Sequence, residues 1–166
     1  MLFEKFGEFD SVEELNMAAE GLKKEGDIES LKTLARENGI DPEDVEDYAD
    51  GMIESLVLNP TACALAKIAV ETEEKKELYQ DQELINDWIG QIKQMAIDSE
   101  EFARAIRKKD KRLKECIAEI LKWSFGNQVQ LDSELLKAAG VNAGRVTMGV
   151  PGMRTAKELI RKYYLG

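Results

Sequence analysis

Residues 38–56 read NGIDPEDVEDYADGMIESL and carry the clearest helix signals in the chain. Asn38 and Gly39 are typical of a left-handed helix end, so a preceding helix is predicted to stop there. Asp41 can cap the next helix, and Pro42 is favoured at a first helical position because proline has no N–H to leave unbonded. A third helix is therefore predicted. Its apolar face comprises Val45, Tyr48, Ala49, Met52, Ile53 and Leu56.

The opposite face of this predicted helix is acidic. It carries Glu43, Asp44, Glu46, Asp47, Asp50 and Glu54. Three interpretations remain open: a solvated helix surface, a protein-binding surface that imitates nucleic-acid phosphates toward a basic partner, and a metal site. An EF-hand is excluded because the glycine at the sixth loop position and the closing glutamate are missing from the register.

Helical periodicity continues through the rest of the chain. Capping residues precede several apolar stretches: Ser11, Asp27, Asn59, Ser99 and Asp132. Apolar residues between positions 102 and 124 trace one helix face, with a break expected near Asp110. The last helix is predicted from Arg154 to Tyr164.

Sustained alternation of apolar and polar residues is absent from the sequence, so little or no sheet is expected. Residues 146–150 are the one short strand candidate. The predicted fold is all-α, a compact bundle of about seven to nine helices. With 166 residues and no internal repeat or linker, the chain is expected to form one helical domain, residues 1–166.

Charge is divided unevenly along the chain. The N-terminal part, residues 1–103, has a net charge of −18, whereas the C-terminal part, residues 104–166, has a net charge of +8. This asymmetry predicts either a charged partner or two parts of the chain that attract each other when folded.

The basic side chains concentrate between Arg104 and Lys114, where seven of them stand against one acid, Asp110. Helical spacing predicts that positions 104, 107, 108 and 111 share a face. Such a basic stripe can displace counterions from phosphates, but it can equally be solvated or dock on the acidic part of the chain. The candidate nucleic-acid contacts in this stripe are Arg104, Arg107, Lys108, Lys111 and Arg112.

A second candidate DNA contact follows Gly140. The spacing of the glycine and of Val141, Val146 and Val150 resembles a degenerate helix-turn-helix. In that family the glycine makes the turn and the apolar residues lock a recognition helix. The resemblance implies groove-facing roles for three residues: Asn142, Arg145 and Thr147.

A structural connection is the rival interpretation of the same segment. Its glycines would supply positive backbone angles: Gly140, Gly144, Gly149 and Gly152. Its apolar residues would pack and let the last helix fold back: Val146, Met148, Val150 and Met153. The glycine spacing fits neither a dinucleotide fingerprint nor a P-loop, so a phosphate-binding loop is not predicted.

The composition excludes several kinds of chemistry. The chain has no histidine, which removes Ser-His-Asp and Cys-His nucleophile systems and the zinc-protease helix. Cys63 and Cys116 lie within apolar helical patterns and are expected to be reduced core thiols. Carboxylate and lysine chemistry remain possible. We predict a protein that is not an enzyme and that uses no cofactor and no metal.

The first residues show no basic segment followed by an apolar block, so no secretion signal is predicted. Apolar runs fall well short of the about 18 residues that suggest a membrane span. The cytoplasm is the expected location, without membrane contact.

Three segments resemble small acidic accessory proteins carried by bacterial integrative elements and phages. They read ENGIDPEDVEDY (37–48), LKWSF (121–125) and GVPGM (149–153). The resemblance implies a mobile-element context without an established activity. The predicted function is regulation of nucleic-acid machinery by protein binding, including inhibition of a basic nuclease or DNA-binding protein through the acidic surface. The alternative is direct DNA binding through the basic stripe and the segment after Gly140.

Overall fold

The computed structural model describes residues 4–80 and 82–166. These residues form ten helices and one small sheet, so the predicted all-α fold is confirmed. The helices are α1 (Val12–Glu25), α2 (Ile28–Glu37), α3 (Pro42–Asp50), α4 (Pro60–Glu74), α5 (Lys76–Tyr79), α6 (Glu83–Asp98), α7 (Glu100–Arg107), α8 (Leu113–Gly126), α9 (Ser133–Ala138) and α10 (Met153–Leu165). The strands are β1 (Val129–Gln130) and β2 (Thr147–Met148). Within the described residues, no helix has the length and apolar character needed to cross a bilayer.

The chain forms two compact units. The first unit runs up to Leu113, and the second covers Lys114–Tyr164. The change in net charge at residue 104 therefore falls within α7 and not at the boundary between the units. Nearly all of the basic stripe belongs to the first unit.

Side-chain caps define where the first helices begin. Ser11 and Asp27 each accept a hydrogen bond from an amide in the first turn of α1 and α2, at 3.1 Å and 3.0 Å. Asp41 and Asn59 cap α3 and α4 in the same way, and a proline follows each of them. Each cap satisfies an amide that the helix itself leaves unbonded. These helix starts, predicted from the sequence, are confirmed.

The first three helices enclose an apolar core. In it, α1 contacts α2 and α2 contacts α3. Leu15, Leu31 and Leu34 have no exposed surface, and Val45 and Tyr48 of α3 are buried beside them. Burying an aliphatic side chain of this size contributes about 1.5–3 kcal/mol to stability. The core therefore holds α3 with one face inward and the other toward solvent.

Gly39 sets the approach of the α2–α3 turn to α4. Its φ is +69°, and a Cβ at this position would lie 2.5 Å from Val70 Cγ2 and 2.9 Å from the Ala66 carbonyl oxygen. Glycine is required both by the left-handed conformation and by the close approach. The turn that precedes α3 is thereby fixed against α4.

α3 is shorter than the sequence predicted. It ends at Asp50 because Gly51 adopts a φ of 79° and closes the last turn. The prediction that Met52, Ile53 and Leu56 continue the apolar face of this helix is wrong. Met52 is 77% exposed, whereas Leu56 is buried in the segment that follows the helix.

The rest of the first unit is built on α4, α6 and α7, which contact one another. Trp88, Ile92 and Phe102 contribute side chains that are at most 2% exposed. The break expected near Asp110 is confirmed, because α7 and α8 are separated by residues 108–112.

The second unit contains the small sheet. β1 and β2 pair antiparallel, with Val129 opposite Met148 and Gln130 opposite Thr147. β2 lies within residues 146–150, so the strand candidate predicted from the sequence is confirmed. α9 connects the two strands, and the predicted cap Asp132 accepts a hydrogen bond from Glu134 N at 2.7 Å.

Gly149 allows a close approach within the second unit. A Cβ there would lie 2.1 Å from the Ser124 carbonyl oxygen, at the end of α8. Of the four glycines predicted to supply positive backbone angles, Gly140 does so, with a φ of 68°. The prediction is wrong for Gly144, Gly149 and Gly152, and Gly149 is needed for space and not for its backbone angle.

Candidate functional site

α3 presents a row of exposed carboxylates. Its inward face carries Val45 and Tyr48, which are 2% and 4% exposed. The outward side chains are those of Glu43, Asp44, Glu46, Asp47 and Asp50, and all five are exposed. We call these five side chains the acidic face of α3.

Glu54 was predicted to lie on the same helix face, and this is wrong. Gly51 ends the helix before Glu54 is reached. Glu54 instead lines a groove of about 600 Å³ together with Glu13 and Glu20 of α1. It is an exposed carboxylate near the acidic face of α3 in sequence but does not share its helix.

Among the residues that the structure describes, none forms an ion pair with the acidic face of α3. The sequence offers no local counter-charge either, because the stretch between Arg36 and Lys67 holds eight acidic residues and no lysine or arginine. Carboxylates three and four positions apart on a helix repel each other. Glu43 and Asp44 in the first turn gain from the helix dipole, but Asp50 at the opposite end does not. Repulsion within the acidic face therefore destabilises α3.

A metal ion is not supported at this face. Hard cations such as Ca²⁺ need several oxygen ligands that converge on one point. In residues 4–80 and 82–166, no group of three or more cysteine, aspartate or glutamate side chains is arranged to hold a metal ion. A solvated surface and a protein-binding surface remain as interpretations.

A second groove borders the acidic face of α3. It lies between α2 and α3, has a volume of about 740 Å³, and includes Ala35, Ile40 and Val45 in its lining. Glu46 of the acidic face lines it from the α3 side, and Arg36 from the α2 side. Carboxylates beside an apolar depression resemble the arrangement in which a protein partner inserts an anchoring side chain.

The basic stripe is paired internally at its first residues. Arg104 Nη1 lies 2.9 Å from Glu13 Oε1, and Arg104 Nε lies 3.0 Å from Glu100 Oε1. The hydrogen bond from Arg104 lowers the pKa of Glu13. Further along, the backbone N–H of Lys109 donates to Asp10 Oδ1 at 2.9 Å. At these residues the structure shows the basic stripe docked on the acidic part of the chain, one of the alternatives that the sequence left open.

Arg107 is buried and does not lie on a basic surface. It is 1% exposed, and its Nη2 donates to Asn38 Oδ1 at 2.5 Å. The prediction that positions 104, 107, 108 and 111 share one helix face is wrong, because α7 ends at Arg107. Contact of this guanidinium with a phosphate would first require it to leave the core.

Arg112, at the end of the basic stripe, belongs to a buried ionic cluster. Lys67 Nζ lies 2.5 Å from Glu8 Oε1 and donates to the Lys108 carbonyl oxygen at 2.7 Å. Arg112 Nη2 lies 2.7 Å from the other oxygen of the same glutamate. The cluster thus joins three parts of the first unit: the segment before α1, α4, and the connection between α7 and α8.

Glu71 completes the cluster. Its Oε2 accepts a hydrogen bond from Leu113 N at 2.6 Å, and its Oε1 lies 3.5 Å from Arg112 Nη1. Burial raises the pKa of Glu71 and lowers the pKa of Lys67, since the interior disfavours both charges. Our sequence reasoning missed this cluster. The available signal was a lysine and a glutamate four positions apart, Lys67 and Glu71, among the apolar residues of α4.

The candidate DNA contacts after Gly140 do not form a recognition helix. Residues 139–152, all of which the structure describes, contain no helix. Thr147 lies in β2, and Asn142 and Arg145 lie in the exposed connection before it. The expectation drawn from the helix-turn-helix resemblance is therefore wrong. Gly140 ends α9 as a turn should, but the chain then continues into a strand.

The apolar residues of this segment were also predicted to pack, and for three of them this is wrong. Met148, Val150 and Met153 are 53%, 50% and 45% exposed. Met148 faces outward beside Val129, its partner in the sheet, which is 67% exposed. The segment therefore leaves apolar side chains on the surface.

Both cysteines are free and buried, which confirms the prediction of core thiols. Burial raises the pKa of Cys116 to about 12 and also raises the pKa of Cys63. A thiol with such a pKa stays protonated near neutral pH and is a poor nucleophile.

Comparison with known proteins returned no relative: no family model, no curated protein and no solved structure matches this chain.

Proposed function

We propose that this chain is a non-enzymatic regulatory protein of a bacterial mobile element that acts on nucleic-acid machinery by binding a basic protein, as an inhibitor does. The acidic face of α3 is the proposed contact surface. The observation that carries the proposal is the contrast between the two charged regions. No side chain in the described part of the chain forms an ion pair with the acidic face of α3, whereas Arg104 and Arg112 of the basic stripe are paired internally.

The charge density of α3 supports imitation of a nucleic acid. Five carboxylates occupy nine residues, and at 1.5 Å per residue the helix is about 13 Å long. This corresponds to one negative charge per about 2.7 Å, compared with one per about 3.4 Å along a single DNA strand. A protein surface evolved to contact phosphates would find a similar density of negative charge on this helix.

Inhibition requires that the contact exclude nucleic acid from the partner. The groove between α2 and α3 offers an apolar depression next to the carboxylates, where a partner side chain can anchor. Charge complementarity would accelerate association, and the anchored side chain would slow dissociation. Together they favour a complex that competes with DNA or RNA.

Direct DNA binding is the less supported alternative. Three of the five candidate contacts in the basic stripe are engaged within the first unit: Arg104, Arg107 and Arg112. The three candidates after Gly140 lie on a connection and a two-residue strand. Neither group presents a helix that would fit a major groove.

The proposal is tested by affinity capture from the source cell with wild type and with two variant baits. In the first bait, the acidic face of α3 is reversed by Glu43→Lys, Asp47→Lys and Asp50→Lys. The matched control reverses three exposed acids elsewhere in the first unit: Glu25→Lys, Glu77→Lys and Glu101→Lys. Both baits carry the same net charge, so a difference between them reports position and not total charge.

We expect wild type and the control to capture a basic nucleic-acid-binding protein that the first bait does not capture. The captured protein should also lose its bound DNA or RNA when wild type is added. Equal capture by all three baits would remove α3 from the proposal. Capture without displacement of nucleic acid would remove the inhibitory role.

A further inference from the structure

The segment of residues 127–150 joins α8 to α10 through β1, α9 and β2, and we call it the hairpin segment. All of its residues are described, and Gly149 alone among them is buried. A six-residue helix and a two-residue ladder are too short to be stable by themselves. The apolar burial that such elements need is therefore not provided within this segment.

The hairpin segment instead carries an apolar face. Val129 and Met148 are directly opposite in the antiparallel pair, so their side chains lie on the same side of the sheet. Val150, two positions beyond Met148, is 50% exposed. Gly149 lies against the Ser124 carbonyl oxygen in the last turn of α8, and the residue after Ser124, Phe125, is 79% exposed. A cluster of exposed apolar side chains on a short segment marks an interaction site.

The charges of the hairpin segment are balanced. It holds two acids and two bases in a chain whose net charge is −10: Asp132, Glu134, Lys137 and Arg145. Two copies of this chain, each with a net charge of −10, repel each other as whole molecules, but the hairpin segment adds nothing to that repulsion.

The order of these charges is self-complementary. In α9 the acid Glu134 lies in the first turn and Lys137 in the last turn. Two α9 helices packed antiparallel about a two-fold axis would bring Glu134 of one copy beside Lys137 of the partner subunit, and the reverse contact would form by symmetry. The hairpin segment can therefore match a second copy of itself in both charge and apolar character.

We propose that the hairpin segment is a dimerisation surface whose occupant is a second copy of this chain. The dimer covers Phe125, Val129 and Met148 and pairs the two α9 helices antiparallel. This surface lies in the second unit and does not involve the acidic face of α3, so the dimer would present that face twice.

Sedimentation velocity of the full chain over a concentration series tests the proposal. We expect wild type to dimerise reversibly, and we expect Glu134→Lys and Lys137→Glu each to raise the dissociation constant by at least about tenfold through like-charge contacts. An equimolar mixture of the two variants should recover a dimer, because one variant then carries only bases at these two positions and the other only acids. Circular dichroism of each variant checks that it is folded.

The apolar part is tested by Met148→Ser, with Met52→Ser as the matched control. Met52 is 77% exposed and lies in the first unit, so its replacement removes a comparable surface side chain. We expect Met148→Ser to weaken the dimer and Met52→Ser to leave it unchanged. A wild-type chain that stays monomeric up to roughly 100 µM overturns the proposal. The proposal is also overturned if the mixture of Glu134→Lys and Lys137→Glu stays monomeric. It is overturned as well if Met148→Ser and Met52→Ser weaken the dimer equally.

Discussion

Lys67 Nζ and Glu8 Oε1 are 2.5 Å apart, and the two side chains are 1% and 7% exposed. The lysine comes from α4, and the glutamate comes from the segment that precedes α1. The same ammonium donates to the carbonyl oxygen of Lys108, in the connection that leads out of α7. One buried ion pair therefore links three distant parts of the sequence, and it sets the position of the residues that the basic stripe was expected to expose.

Lys67→Met should destabilise the first unit by about 1–3 kcal/mol, because the buried Glu8 Oε1 loses its ammonium partner while Arg112 still pairs with the other oxygen. Urea unfolding followed by circular dichroism measures this change in the free energy of unfolding. The control is Lys24→Met. Lys24 and Glu20 are also 2.5 Å apart, but their side chains are 71% and 56% exposed. Replacement of Lys24 should leave stability unchanged. Equal losses in the two variants would show that burial does not matter to the Lys67–Glu8 pair.

The raised pKa of Glu71 makes the stability of the folded chain depend on pH. Burial raises the pKa of Glu71 above its ordinary value of 4.5, although the Leu113 amide, Lys67 and Arg112 act in the opposite direction. As the pH rises past 4.5, the unfolded carboxyl loses its proton first and the folded one keeps it. The folded state then binds more protons, so its stability falls as the pH rises through this window.

Glu71→Gln removes this titration and provides the reference. The free energy of unfolding of wild type minus that of Glu71→Gln should decrease from about pH 4 upward and level off once the folded carboxyl has ionised. Urea unfolding of both proteins at matched pH values measures the difference. A difference that rises with pH would mean that the pKa of Glu71 is lowered in the folded chain.

Gly39→Ala should destabilise the chain more than Gly26→Ala does. Both glycines have positive φ, +69° and +73°, so alanine at either position adopts a left-handed conformation that costs about 1–2 kcal/mol. At Gly26 a Cβ meets nothing within 4 Å, whereas at Gly39 it lies 2.5 Å from Val70 Cγ2. Overpacking adds about 1–3 kcal/mol in the second case. Equal thermal and urea unfolding of the two variants would contradict the close approach of the turn to α4.

DNA binding through the basic stripe should be absent or weak. Fluorescence anisotropy of labelled duplex DNA at about 50 mM salt, where phosphate contacts are strong, is the appropriate measurement. Tight binding that Arg104→Ala and Lys108→Ala abolish would revive the alternative function. It would also require the Arg104–Glu13 pair to open.

Local chemistry made much of the fold predictable. The helix starts at Ser11, Asp27, Asp41 and Asn59 depend on a capping side chain and the residues just after it, and all of that information lies within one helical turn. The end of α3 was missed although Gly51 was visible in the sequence. Apolar residues continue at helical spacing beyond this glycine, so periodicity alone predicts a longer helix than the left-handed Gly51 allows.

Long-range contacts explain why the site was less predictable. Arg107 is buried and donates a hydrogen bond to Asn38, which lies 69 residues earlier in the chain. A local sequence pattern cannot predict such a contact. The exposure of the acidic face of α3 could be predicted from the sequence, because the inward residues of α3 have the spacing of a helix face. The sequence did not predict which acidic residues form internal ion pairs, because those pairs depend on how α1, α4 and α7 pack.

The acidic face of α3 is the proposed binding site for a basic protein of the nucleic-acid machinery. The most direct test is the dissociation constant between the captured partner and three forms of this chain: wild type, the α3-reversed variant and the variant reversed at Glu25, Glu77 and Glu101. Titrations at several salt concentrations give each constant. We predict that affinity is lost in the α3-reversed variant alone and that wild-type affinity falls as salt is raised. Equal dissociation constants for the two reversed variants would contradict the claim.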